Sequence, residues 1–256
     1  MLLIATTPVI FEHGTIGYAD LPFACYLVLS VLWYVRANKE GRAGSYVLSG
    51  ILLGLACWTR PERLVIGIVV ALALLTARRL SSEGQVRHAA WLLPAALIGG
   101  AWQVFAALYA GGGQISQAIV FASQAIAQGD LHASAFYWIA RFLVRQALSP
   151  SAWGVLLPLA VVVVVMRSRE LWRRWDPALV ATFAAAAALG IGMVGFYYLV
   201  SFVGDLAFWL GTGVDRMFLP AGILAAIWVI QVADLGSRPT PLSRGPLPRG
   251  SFHSGL

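Results

Sequence analysis

Long apolar runs, separated by short arginine-bearing connections, recur from Leu21 to Leu235 and leave this chain few ways to fold. In hydrocarbon every backbone amide must find its partner within the protein, which restricts spanning segments to helices and closed barrels. A helix needs roughly 20 predominantly apolar residues to cross. Full spans are expected at about 21–36, 44–59, 64–77, 89–110, 152–166, 177–200 and 217–235. Hydrophobic residues make up 59% of the chain and charged residues 11%, against roughly 45–50% and 25% in an ordinary soluble domain. The expectation is therefore an all-α polytopic membrane protein with about seven full transmembrane helices. A partial N-terminal helix over Met1–Phe11 and interfacial helices on the outer face complete it. Met1–Phe11 has no basic leader and no small-residue cleavage site, so it does not read as a signal peptide.

The net charge of +7 does not point to nucleic acid, because its arginines sit between apolar runs, where they set topology. Arg36, Lys39 and Arg42 follow the first full span; Arg78, Arg79 and Arg87 the third; Arg167, Arg169, Arg173 and Arg174 the fifth; Arg238, Arg244 and Arg249 the last. These connections read as cytoplasmic, and residues 11–20, 60–63, 111–151 and 201–216 as outward. Pro61 separates the second span from the third, since proline blocks helix continuation. The segment Ser134–Ser149, with Arg141 and Arg145 on one helical face, reads as a helix lying on the outer surface. Gly111–Gly113 breaks the helix before it, and Ile115, Ile119, Ala122 and Ile126 then recur at helical spacing. Residues 1–235 form one membrane domain, and the Pro-, Gly-, Ser- and Arg-rich residues 236–256 read as a disordered cytoplasmic tail. Cys25 and Cys57 lie inside apolar runs and read as small buried hydrophobes, with neither disulfide framework nor metal spacing.

This topology gathers Glu12, His13, Asp20, Arg60, Glu62, Arg63, Asp205, Asp215 and Arg216 at helix mouths on one side. An acid at such a mouth is costly to bury without water, a cation or a partner. Asp20, in Gly17-Tyr18-Ala19-Asp20-Leu21-Pro22, is the most informative of them. Guanidinium forks match phosphate oxygens, and carboxylates suit a general base or a divalent cation. Arg60 and Arg63 depart from the positive-inside pattern; binding an anion and pairing with Glu62 or Asp20 both account for them. On its own surroundings Arg216 reads first as an interfacial anchor. His13 and Glu12 have no partner at useful spacing.

Three stretches then carry a resemblance. They are Thr7-Pro8 through Gly17–Pro22; Gly50 to Glu62, a glycine-spaced helix ending Thr59-Arg60-Pro61-Glu62; and Asp215-Arg216-Met217-Phe218-Leu219-Pro220. In this order and on one side they resemble C-type-fold membrane glycosyltransferases, the group of protein O-mannosyltransferases and aminoarabinose transferases. Met217 departs from the aromatic often found in its slot. The resemblance implies transfer of a sugar from a polyprenyl-phosphate donor to an acceptor at the outer face of the bacterial plasma membrane, by inverting displacement. Asp20 matches an acid near the active centre, as a catalytic residue. Arg60 and Arg216 match positions suited to the donor phosphate, with Glu62 beside them as a substrate-binding candidate. The donor and membrane lipid are the expected partners. A divalent cation is compatible with this chemistry, but one assigned carboxylate defines no site. The family's first span and acid-bearing loop have no counterpart after Met1, so a missing N-terminal half or partner subunit, and an inactive fragment, are expectations too. A transporter or flippase for a lipid-linked or anionic substrate and a non-catalytic scaffold subunit remain the alternatives.

Overall fold

The computed structural model describes residues 20–59, 63–80, 91–109, 114–129, 132–149, 153, 156–173, 176–202 and 205–235. Within these, some side chains, Arg216 among them, lie outside what is described. The described residues are helical throughout, with no strand among them. In chain order the helices are α1 (Asp20–Glu40), α2 (Ala43–Trp58), α3 (Arg63–Leu80), α4 (Leu92–Tyr109) and α5 (Gln114–Ala127). α6 (Ala133–Ala147), α7 (Leu156–Arg173), α8 (Pro177–Val200) and α9 (Leu206–Leu235) follow. The expected partial helix at Met1–Phe11 and the tail at 236–256 lie outside the described residues.

Two helices are long and apolar enough to cross a membrane, α1 with 21 residues and α8 with 24. At 1.5 Å per residue they span about 31 and 36 Å, against a hydrocarbon core of about 30 Å. The expected spans within α2, α3, α4, α7 and α9 are apolar but shorter by the same measure. The structure thus supports a helical membrane protein and leaves the full count of crossings as an expectation.

α1 lies at the centre, packed on α2, α8 and α9, while α2 also packs on α3 and α4. α8 is the second hub, touching α3, α5, α6 and α9. Polar clasps fix the register where hydrophobic packing alone would let helices slide, lipid tails being as apolar as leucine. Ser30 Oγ donates to the Ser49 carbonyl and Ser49 Oγ to the Ser30 carbonyl, each at 2.8 Å. Tyr34 Oη, fully buried, donates to the Leu74 carbonyl at 2.9 Å, tying α1 to α3. α2 approaches α4 through Gly50 and Gly54, one turn apart. A Cβ on Gly54 would stand 2.8 Å from Ile98 Cβ and 3.2 Å from Ala95 Cα.

The caps follow local chemistry. Asp176 accepts the Ala178 N–H at 2.8 Å with Pro177 in the first helical position, both strong helix-start signals. One boundary departs from expectation. Residues 201–216 read as a connection, yet α9 begins at Leu206 and carries Asp215 and Arg216 inside it. Asp205 nucleates this start, its Oδ1 accepting the Ala207 N–H at 2.9 Å. Likewise α7 continues to Arg173, so Arg167, Arg169 and Arg173 sit on its last turns, not in a connection.

Candidate functional site

The packed face of α1 is Asp20, Phe23, Ala24, Leu27, Val28, Val31, Tyr34 and Val35, an alternation of three- and four-residue steps. Residues so spaced share one side of a helix. Asp20 continues that side, so its carboxylate belongs to the helix face that packs in the bundle. It is 1% exposed, and neighbouring groups engage it. As the first residue of α1 it also stands among backbone N–H groups that lack intrahelical acceptors, at the positive end of the helix dipole. Those two effects lower the cost of a buried negative charge.

The clasps show what shares this end. α1 and α2 run antiparallel through the Ser30–Ser49 pair. Moving from Ser30 to Asp20 on one helix matches moving from Ser49 to Thr59 on the other. Asp20 and Thr59 are therefore level, about 15 Å along the axis from the serine pair. Thr59 ends α2, its Oγ1 bonded to the Ala56 carbonyl at 2.8 Å. α3 begins at Arg63 and runs parallel to α1, as the Tyr34–Leu74 bond requires. Gly192 of α8 faces Ile66 of α3, and Gly213 of α9 lies 3.1 Å from Tyr197 Oη of α8 by its would-be Cβ.

Arg216 has a backbone peculiarity. Pro220, four residues on, lies inside α9 and carries no N–H. The Arg216 carbonyl therefore lacks its usual helical donor, and the proline ring crowds it. Arg60 and Glu62 lie outside the described residues, between Thr59 and Arg63; Glu12 and His13 lie outside them too. The structure thus brings Asp20, the end of α2 and the start of α3 to one end of the bundle. It does not describe contacts between Asp20 and the three other candidates.

Two features at this end were not read from the sequence. Trp153, 1% exposed, packs over Gly222 and sits edge-to-face with Phe218 at 6.2 Å. Its indole N–H has no acceptor among the described residues. His132 has a left-handed backbone (φ 40°) and stacks on Phe202 at 4.2 Å, while Phe136 stacks on Tyr198 at 4.2 Å. Those stacks pin the start of α6 to the end of α8. A tryptophan in a connection, and a histidine before a helix, carry no pattern that announces such packing. Among the described residues no three metal-ligating side chains come together.

An acid held inside one end of an all-helical bundle, with two helices of membrane-crossing length and composition, defines a membrane-type protein with a polar centre at its helix mouths. Residues 1–111 match the family model of dolichyl-phosphate-mannose-protein mannosyltransferases, which relates this part of the chain to a family of membrane glycosyltransferases. The match bears out the resemblance drawn from Gly17–Pro22 and Gly50–Glu62, both of which it contains. Asp215–Pro220 lies outside it. No curated protein and no solved structure matches the chain.

Proposed function

We propose that this protein handles a polyprenyl-phosphate-linked sugar and transfers the sugar to an acceptor hydroxyl at the outer face of the membrane. The observation that carries the reading is the buried Asp20 on the packing face of α1, inside the stretch that matches the mannosyltransferase model. In this mechanism the acceptor oxygen attacks the anomeric carbon from the side opposite the lipid phosphate. The bond from the anomeric carbon to the phosphate oxygen breaks, and the lipid phosphate leaves with the electron pair. Asp20 takes the acceptor's proton as general base. Arg60 and Arg216 hold the phosphate oxygens, with charge-assisted bonds that strengthen as the leaving group gains charge. Glu62 lies between Arg60 and Arg63 in sequence and orients a guanidinium. Pro220 suits this role, because it leaves the Arg216 carbonyl without its helical donor.

The test is binding and transfer with the full chain in lipid nanodiscs. Polyprenyl-phosphate mannose, bare polyprenyl phosphate and a neutral polyprenol are offered in turn. Saturable binding of both phosphates and none of the alcohol supports phosphate recognition. Equal binding of all three contradicts it. Arg216→Ala is expected to raise the donor's apparent KM with kcat little changed; an effect on acceptor use alone would remove Arg216 from the phosphate site.

A further inference from the structure

α6 presents a surface that the transfer reaction does not use. Ala135, Ile139 and Leu143 are its buried residues, packed with Met193, Tyr197 and Leu210 of α8 and α9. At 100° per residue, Tyr137, Val144 and Leu148 fall within about 40° of one another on the opposite side, Leu148 continuing the line from the helix cap. They are 60%, 58% and 62% exposed. Three large apolar side chains in one line, with the other face of the helix already packed, form a stripe that water does not favour.

Arg141 and Arg145 flank this stripe one turn apart, and both are exposed. The α6 sequence contains no acid, and Arg141 and Arg145 form no ion pair among the described residues. Arg141 is laid along the helix surface: its guanidinium lies 5.5 Å from the Trp138 ring centroid, and Nη1 donates to Tyr137 Oη at 3.4 Å. Aromatic rings with an amphipathic edge favour the headgroup layer, and arginine stems lie over apolar surface while their heads stay polar.

We infer that the outward face of α6 docks into the membrane interface. Tyr137, Val144 and Leu148 enter the acyl boundary there, and Arg141 and Arg145 contact anionic phospholipid headgroups. The occupant follows from charge complementarity: two guanidiniums without a counter-charge beside an apolar stripe match a layer of lipid phosphates over hydrocarbon. A partner protein would also cover the stripe, but it would need acids placed against both arginines. The inference is independent of the transfer chemistry, since it concerns where α6 lies and not what Asp20 does.

The test uses the full chain carrying Cys25→Ser and Cys57→Ala, with a nitroxide attached at Val144→Cys, Leu148→Cys or, as a control at an exposed position away from α6, Lys39→Cys in turn. These positions are exposed, so the labels leave the packed face of α6 untouched. Protein is reconstituted in nanodiscs of phosphatidylcholine alone or mixed with phosphatidylglycerol. Collision with oxygen, which concentrates in hydrocarbon, is compared with collision with a water-soluble nickel chelate. Labels at 144 and 148 are expected to favour oxygen several-fold more than the label at 39. The preference should grow with phosphatidylglycerol and shrink in Arg141→Gln/Arg145→Gln. Three outcomes overturn the inference: equal nickel access at all three positions, shielding of 144 and 148 from both reagents as under a protein partner, or a preference indifferent to lipid charge and to the arginines.

Discussion

Adding one methyl group at Gly50 should open the bundle, whereas adding it at Gly100 should not. A Cβ at Gly50 would meet the backbone carbonyl of Trp91, with Pro94 Cγ a further neighbour at 3.3 Å. A carbonyl at the start of a neighbouring helix cannot rotate away as a side chain can, so α2 and α4 must separate. Overpacking of this kind costs about 1–3 kcal/mol, and a backbone obstacle puts Gly50→Ala toward the upper end. Alanine recovers about 1 kcal/mol of helix propensity over glycine. The net expectation is destabilisation by about 1–2 kcal/mol. Gly100, also helical, has nothing within 4 Å of its would-be Cβ, so Gly100→Ala keeps the propensity gain alone and should be neutral or stabilising by up to about 1 kcal/mol. Cys57 is a suitable reporter, being buried beside Gly67 and Gly99 where α2, α3 and α4 meet, while Cys25 is exposed. In a Cys25→Ser background, a thiol-reactive fluorogenic dye would report heating as Cys57 becomes accessible, at one fixed scan rate because membrane-protein melting is commonly irreversible. Gly50→Ala should unmask the thiol at lower temperature than the parent and Gly100→Ala at equal or higher temperature. If Gly50→Ala melts with or above the parent, the close α2–α4 approach is wrong.

Further outcomes follow from single contacts. Ser30→Ala and Ser49→Ala should each lower stability by about 0.6 kcal/mol, the mean for interhelical hydrogen bonds in membranes; the double variant should cost less than the sum, which thermal melts of the four-member cycle would show. Tyr34→Phe, losing the 2.9 Å bond to the Leu74 carbonyl, should cost about 1 kcal/mol in the same assay. Trp153→Ala should be far more severe, about 3–5 kcal/mol, because the indole fills the space over Gly222. His132→Gly should be tolerated better than His132→Ala, since glycine adopts the left-handed backbone without a Cβ penalty; equal melting of the two would mean that the backbone there carries no strain.

The sequence made the helical architecture readable because membrane burial imposes long apolar runs, and it made the α2–α3 break readable because Pro61 cannot continue a helix. The start of α9 was not readable in the same way. Gly211, Gly213, the Asp215-Arg216 pair and Pro220 all argue for a connection, yet tertiary packing and the Asp205 cap extend the helix through them. For the site, Asp20 announced itself as a carboxylate at a helix mouth, whereas the packed side it shares with Phe23 and Leu27 came from the structure. The level shared by Asp20 and Thr59 was not legible, because it depends on the Ser30–Ser49 clasp between helices. Serines and tyrosines in apolar spans signal that such clasps exist, but not which helix each one finds.

Asp20→Asn tests the central claim most directly, because it keeps the size and packing of the side chain and removes only its charge. Sugar transfer from polyprenyl-phosphate mannose would be followed in nanodiscs alongside donor binding. The account predicts donor binding close to that of the parent protein and a fall in transfer of about 10²–10⁴-fold, the usual contribution of a positioned base. Transfer at the parent rate by a folded, donor-binding Asp20→Asn protein would contradict it.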